Sequence, residues 1–355
     1  MMGRLTERKT AGVALFGVLL LAASACENST AATGAKCTPA KSPVITFAAY
    51  STPREVYGKI IPAFQATWKA DHNGQNAIFQ ESYGGSTSQA QNVVNGFPAD
   101  VVALSLAPDV DSIKKAGLIT RDWTRAPDGG MVSTSVVVFD VRPGNPKGIK
   151  DWNDLTQPNL DILTPDPAQS GGARWNIVAA YGAAERGKAA GASGDAGAQG
   201  LLEGIFKNVK VLDKSARDSI KNFESGNGDV AITYENEVFT AQKAGLADEM
   251  VIPSSTVLIE NPVAVVDKNA AQHCVKDVAD AFVAYLHTQE AKDLYTKVGF
   301  LRPTDKAAAQ KGDGDRFQPV QDLFTVADLG GWDQIDRSVF GTDGIFTKAF
   351  AAAHG

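Results

Sequence analysis

The chain has 355 residues, with 40 Asp and Glu against 34 Lys and Arg, and a net charge of −6. Residues 1–25 contribute +2 (Arg4, Arg8 and Lys9 against Glu7), so the remainder carries −8. A body this acidic excludes nucleic acid as its main partner. An anionic ligand would have to be held by local features, because overall charge does not draw it in.

Arg4, Arg8 and Lys9 precede an uncharged apolar run of fifteen residues, Ala11 to Ala25. That is shorter than the roughly 20 residues a membrane-spanning helix needs, so 1–25 reads as a cleaved signal peptide. It ends Leu21-Ala22-Ala23-Ser24-Ala25-Cys26, which resembles the cleavage box of an exported lipoprotein, with Cys26 as the acylated N-terminus. Plain cleavage near Ala25 is the alternative. Residues 26–41 are small and polar, cannot bury a core, and read as a tether. If Cys26 is acylated, Cys37 and Cys274 remain. Outside the cytoplasm a disulfide between them is open, and it would tie the tether to the body.

Beyond the tether, strands alternate with helices. Val44–Tyr50 is β-rich, and Pro53 opens a helix to about Ala70. Strand Ala77–Tyr83 precedes helix Ser86–Asn95. Asp100–Leu104 is continuously apolar, as in a strand buried on both faces. Strands come next at Val132–Phe139, Leu160–Leu163, Val209–Leu212 and Val230–Thr233, with helices opening near Ser170, Ala216 and Glu235. Residues 188–200, rich in Gly and Ala, are expected as an exposed turn. Gln272–His287 and Gln289–Val298 are expected as helices. The alternation predicts α/β layers with mainly parallel sheets. Two long β-runs, 132–139 and 256–266, are where the chain would cross between two lobes. The first lobe would be 42–133 with 262–355, the second 134–261, and the ligand cleft would lie between them.

The strand-to-helix turns carry the chemistry. Ser51-Thr52-Pro53-Arg54, Gly84-Gly85-Ser86-Thr87, Ser170-Gly171-Gly172-Ala173-Arg174 and Lys214-Ser215-Ala216-Arg217 are each small or hydroxyl-bearing where a helix begins. The first helical N–H groups lack intrahelical partners and sit at the positive end of the helix dipole. Ser and Gly also favour helix N-caps for local reasons alone. Several such turns meeting in one cleft would form a nest of donors for an anion.

The run Ser170-Gly-Gly-Ala-Arg-Trp-Asn176 resembles the periplasmic sulfate-binding family that serves ATP-binding-cassette importers. So do Gly84-Gly-Ser86, Gly144-Asn-Pro-Lys147 with Asp151-Trp-Asn-Asp-Leu155, Lys207-Asn-Val with Val211-Leu-Asp213, Gly228-Asp-Val230 and Glu235-Asn-Glu237. The similarity runs from about Val44 to Trp332. It implies a two-lobed periplasmic-binding-protein fold, type II-like, closing over one dianion, with a membrane permease and an ATPase as partners. It implies no cofactor, no metal and no catalysis. It implies a monomer outside the cytoplasm, held to the membrane through Cys26. Carried over by position, the backbone donors are Ser51, Ser86, Gly171, Gly172 and Ala216, and the hydroxyl donor is Ser170. Ser51 stands where relatives often have Asp. Tyr234 stands where the family has a Trp donor, and a phenol, unlike an indole, can also accept. That departure keeps thiosulfate open beside sulfate. Arg54, Arg174 and Arg217 flank the turns and are expected to brace them.

Other readings are weaker. Gly182-Ala-Ala-Glu-Arg-Gly187-Lys188-Ala189 lacks the terminal Ser or Thr of a phosphate loop and comes after a helix. No hydrolase elbow and no nucleophile–base constellation is visible. His72, His273, His287 and His354 are not at metal-ligand spacing. Molybdate, phosphate and other two-lobed-receptor ligands stay open, because fold alone does not choose a ligand.

Overall fold

The computed structural model describes Cys37 and residues 41–355. The expected signal peptide, Cys26 and most of the tether lie outside them. The chain alternates β1 (Val44–Tyr50), α1 (Arg54–Asp71), β2 (Ile78–Gly84), α2 (Ser86–Val94), β3 (Val101–Ala103) and α3 (Ala107–Lys115), then enters the long β4 (Met131–Val141). Next come β5 (Ile162–Pro165), α4 (Gly171–Glu185), α5 (Gly194–Lys207), β6 (Val209–Asp213), α6 (Ala216–Glu224), β7 (Val230–Tyr234), α7 (Glu235–Lys243), β8 (Glu249–Val251) and the long β9 (Ser255–Val265). The chain closes with α8 (Asp267–Gln272), α9 (Lys276–Leu286), α10 (Gln289–Lys297), α11 (Lys306–Lys311), β10 (Asp322–Phe324), α12 (Trp332–Ser338) and α13 (Ile345–His354). Among the described residues no helix is long and apolar enough to cross a membrane.

The strands form one mixed sheet in the order β2-β1-β3-β9-β4-β7-β5-β6, with β10 beside β9 and β8 beside β4. Each outer half is parallel: β2, β1 and β3 on one side, β7, β5 and β6 on the other. The antiparallel pairings are those of β4 and β9 with each other and with β3, β7 and β8. Both long strands serve both halves. β4 pairs with β9 over Met131–Val136 and then with β7 over Val137–Val141. β9 pairs with β4 up to Pro262 and then with β3 from Val263.

This register positions the site. β3 ends at Ala103 opposite Val263, and β7 ends at Tyr234 opposite Val137. The carboxyl ends of both parallel halves therefore point toward the stretch where β4 meets β9. Turns after parallel strands leave from those ends, so turns distant in sequence face one another across it.

The two halves have separate cores. Ile45, Phe47, Val56, Tyr57, Phe64 and Phe282 pack in the first, and Phe139, Trp152, Trp175, Phe206 and Phe346 in the second. In α1 the buried positions Val56, Tyr57, Ile60, Ile61, Phe64 and Trp68 keep to the spacing of one helical face.

Three expectations are corrected. Residues 194–200 are not turn but the start of α5, whose buried Ala198, Leu201, Leu202, Ile205 and Phe206 form an apolar stripe. That stripe outweighs the roughly 1 kcal/mol each glycine costs in a helix. The helix expected over Gln272–His287 is broken between α8 and α9, where Cys274 adopts φ +59°. The C-terminal segment, expected wholly with the first lobe, divides. Helices α9 and α10 pack in the first core, whereas α12 and α13 pack in the second. There Trp332 meets Trp175 edge-on at 4.9 Å, and Phe346 meets Phe206 at 5.0 Å.

Candidate anion site

A small cleft opens where the two sets of turns meet. Tyr50, Ser51 and Thr52 line it from the β1–α1 turn, and Gly84, Gly85 and Ser86 from the β2–α2 turn. Ser105 lies just past β3, Ser170 and Gly172 open α4, Ala216 opens α6, and Tyr234 ends β7. None of these lining residues carries a formal charge. Larger clefts exist elsewhere, such as one beside Lys292 and Thr304, but charged side chains including Asp128, Lys292, Asp293 and Arg302 line it.

Of the residues expected at the site, Ser51, Ser86, Ser170, Gly172, Ala216 and Tyr234 are brought together here. Gly171 is buried beside them, with its side-chain position turned toward Leu106 and Ser105. A Cβ there would come within 2.8 Å of Leu106 and of Ser105 Oγ, so packing of α4 on the 105–106 turn demands glycine. At Gly172 a Cβ would sit 3.1 Å from Ala216, 3.4 Å from Ser170 Oγ and 3.5 Å from the Tyr234 ring. The missing side chain is space belonging to the cleft.

The turns leave donors free. Ser170 caps α4 by accepting from Ala173 N–H at 3.4 Å, so its own hydroxyl proton is not consumed. The first intrahelical bond runs from Arg174 N–H to the Ser170 carbonyl, which leaves the Gly171 and Gly172 N–H groups without helical acceptors. Ser215 caps α6 by accepting from Asp218 N–H at 3.2 Å, ahead of Ala216. In α2, Gln89 N–H bonds the Gly85 carbonyl and Ser88 N–H crosses to the Gln169 carbonyl at 3.1 Å, leaving Ser86 N–H as a first-turn orphan.

The Ser86 hydroxyl is turned away from the cleft. It donates to Asp109 Oδ2 at 2.5 Å and accepts from Ser105 N–H at 2.9 Å. Asp109 lies in the first turn of α3 and is buried beneath the site. Burial pushes its carboxyl up to about 6, against the pull of Ser86, Arg174 and Thr87. Burial also pushes the Tyr234 phenol well up, so it stays protonated.

The three arginines do not line the cleft. Arg54 lies over the Tyr83 ring at 5.4 Å. Arg174 pairs with Asp336 and covers Phe340 at 4.2 Å. Arg217 donates to both oxygens of Glu237 (2.7 and 2.9 Å) and of Glu55 (2.5 and 2.8 Å), and to the Thr52 carbonyl at 3.0 Å, so it bridges α6 to α1 over the cleft. Sequence reasoning missed Ser105 and Asp109. Ser105 stands two residues past a strand, as Ser86 does, but it has no glycine beside it. The phosphate-loop-like run at 182–189 is the last turn of α4 and the loop after it. Cys37 and Cys274 form a disulfide, with their Cα atoms 5.3 Å apart.

Residues 45–301 match the family described as bacterial extracellular solute-binding protein. A sulfate-binding protein of Synechococcus elongatus is 40% identical over 349 residues, covering 98% of this chain and 97% of its own. A thiosulfate-binding protein of Pseudomonas aeruginosa is 36% identical over 309 residues, covering 85% and 90%. Among solved structures, the sulfate-binding protein SubI from Mycobacterium tuberculosis H37Rv aligns with a TM-score of 0.74 at 36% identity, covering 84% of this chain and 99% of that one. With matches of this extent, and with the cleft where the two halves of the sheet meet, the chain belongs to the family of bacterial extracellular solute-binding proteins, alongside its sulfate-binding members.

Proposed function

We propose that the cleft captures sulfate, or the related thiosulfate, outside the cytoplasm and that the protein delivers it to an ATP-binding-cassette importer. One observation carries this reading: five strand-to-helix turns meet in a cleft lined by small, hydroxyl and backbone groups, with no charged side chain among them. The donors would be the N–H groups of Ser51, Ser86, Gly171, Gly172 and Ala216, the Ser170 hydroxyl and Tyr234. A hydrogen bond to a charged group contributes about 1.5–3 kcal/mol net. Six or seven exceed the roughly 8 kcal/mol of micromolar affinity, and the surplus offsets lost freedom and lobe closure.

Sulfate suits such a cage because it carries no proton and all its oxygens accept. A carboxylate in the lining would repel it. Asp109 is near, but its Oδ2 is engaged by the Ser86 and Thr87 hydroxyls. In this reading the lobes divide along β4 and β9, Arg54, Arg174 and Arg217 brace the turns, and Cys26 carries a lipid that holds the otherwise monomeric protein at the membrane. No catalytic step is assigned. Molybdate or phosphate is the rival ligand class, and a secreted ester hydrolase the remotest.

Isothermal titration of the chain from Cys37 onward with sulfate, thiosulfate, molybdate and phosphate tests the reading. Sulfate or thiosulfate is expected to bind at micromolar affinity or better. Tighter binding of molybdate, or no binding of any of the four, sinks it.

A further inference from the structure

This inference rests on the anion-cleft reading above and concerns its specificity. Ser105 Oγ and the Tyr234 phenol oxygen lie 2.7 Å apart, and both side chains are buried. Ser105 belongs to the turn after β3 and Tyr234 ends β7, so the bond joins the two halves of the molecule across the cleft that both residues line. The rest of Ser105 is fixed. Its N–H donates to Ser86 Oγ, and its carbonyl accepts from Trp175 Nε1 at 2.8 Å and from Asn261 Nδ2 at 3.3 Å. The hydroxyl proton is the part left free to turn.

The two hydroxyls hold two protons, and one is used in the bond between them. Either oxygen can supply it. When Ser105 donates, the Tyr234 O–H is released toward the cleft as a donor. When Tyr234 donates, its oxygen offers the cleft a lone pair and Ser105 keeps its own proton for another acceptor. An indole at position 234 would have the first state without the second. The same wall holds two more buried hydroxyls, Tyr50 and Thr52.

We propose that Ser105 and Tyr234 form a reversible donor–acceptor pair that lets this cleft hold a singly protonated tetrahedral oxyanion, of the hydrogen phosphate class, besides a fully deprotonated one. A cage of donors alone leaves the hydroxyl of hydrogen phosphate facing another donor. Here that hydroxyl donates to the Tyr234 oxygen, Tyr234 turns its own O–H toward Ser105 Oγ, and the Ser105 O–H is left for another oxygen of the ligand in the cleft that Ser105 lines. Ser105 is the positioning residue of the pair. Without it, the phenol loses its 2.7 Å hydroxyl partner and keeps only Asn261 beside it.

The test is titration of the wild-type chain, Ser105→Ala and Tyr234→Trp with sulfate, selenate and inorganic phosphate at about pH 8, above the second ionisation of phosphate. Sulfate and selenate carry no proton there. In the wild type, phosphate is expected to displace bound sulfate at about a hundredfold excess. Each substitution is expected to raise the ratio of phosphate Kd to sulfate Kd by about tenfold or more, while selenate tracks sulfate. No displacement in the wild type at that excess overturns the proposal, whatever the variants do. So does an unchanged ratio in a variant that still binds sulfate, or a loss of selenate equal to the loss of phosphate. A wild-type chain that binds no sulfate sinks the underlying reading instead.

Discussion

Tyr234 and Glu235 are joined by one peptide bond, yet they face different electrostatic tasks. Tyr234 lines a cleft in which a guest would bring two negative charges and later leave with them. Glu235 is fully buried and stays within the fold, paired with a cation. Arg302 meets it through two 2.6 Å bonds, and two further guanidinium N–H groups donate to the Gln318 carbonyl at 2.8 Å and to the Ala309 carbonyl. Burial pushes Glu235 up and Arg302 pulls it back. A resident charge is matched by a formal counter-charge, because separation is never required. A guest is matched by neutral donors, whose attraction is spread over many weak contacts that can be broken in turn.

The largest expected effect probes the permanent pair. Arg302→Ala leaves Glu235 buried without its partner and should destabilise the protein by about 3–5 kcal/mol, read from urea unfolding. A loss below about 1 kcal/mol would mean that the pair behaves like a surface one, and the contrast would fall. Asp109 lies between the two cases, a buried carboxylate held mainly by hydroxyls. An acid whose folded pKa lies above its unfolded one takes up its extra proton in the folded state alone. Its stabilising contribution is full below about pH 4, fades as pH rises, and is gone above about 6. Between those values the free energy of unfolding should fall by on the order of 3 kcal/mol, and Asp109→Asn should flatten the profile. A profile of unchanged slope in the variant would show that the dependence comes from other groups. Smallest is the effect on the guest site itself. Gly172→Val puts a branched side chain into space 3.1 Å from Ala216, and should weaken sulfate binding about a hundredfold, near 2.7 kcal/mol, with unfolding little changed. Retained affinity would place the ligand elsewhere.

What the sequence made legible was local. The strands and helix starts of both halves carry their own signals: Val and Ile runs for the strands, and Ser or Gly at the first helical turn. The turns at 51, 86, 170 and 216 were readable for that reason. Ser105 was not, because its meaning lies in Tyr234, 129 residues away. Asp109 has the ordinary place of an acid in a first helical turn, and its burial under Ser86 depends on how α2 and α3 stack. The start of α5 was hidden by its glycines, and its stripe of apolar residues begins only at Ala198. The placement of α12 and α13 is a packing outcome, set by Phe206 and Trp175, that no local pattern announces.

The disulfide between Cys37 and Cys274 has a mechanical consequence. It clamps the incoming chain to the kink between α8 and α9, seven residues before β1 begins at Val44. A tug on the segment upstream is delivered into that kink, and β1, hydrogen-bonded to β2 on one side and β3 on the other, is shielded from being unzipped. Reducing the bond would move the load onto the first strand of the sheet.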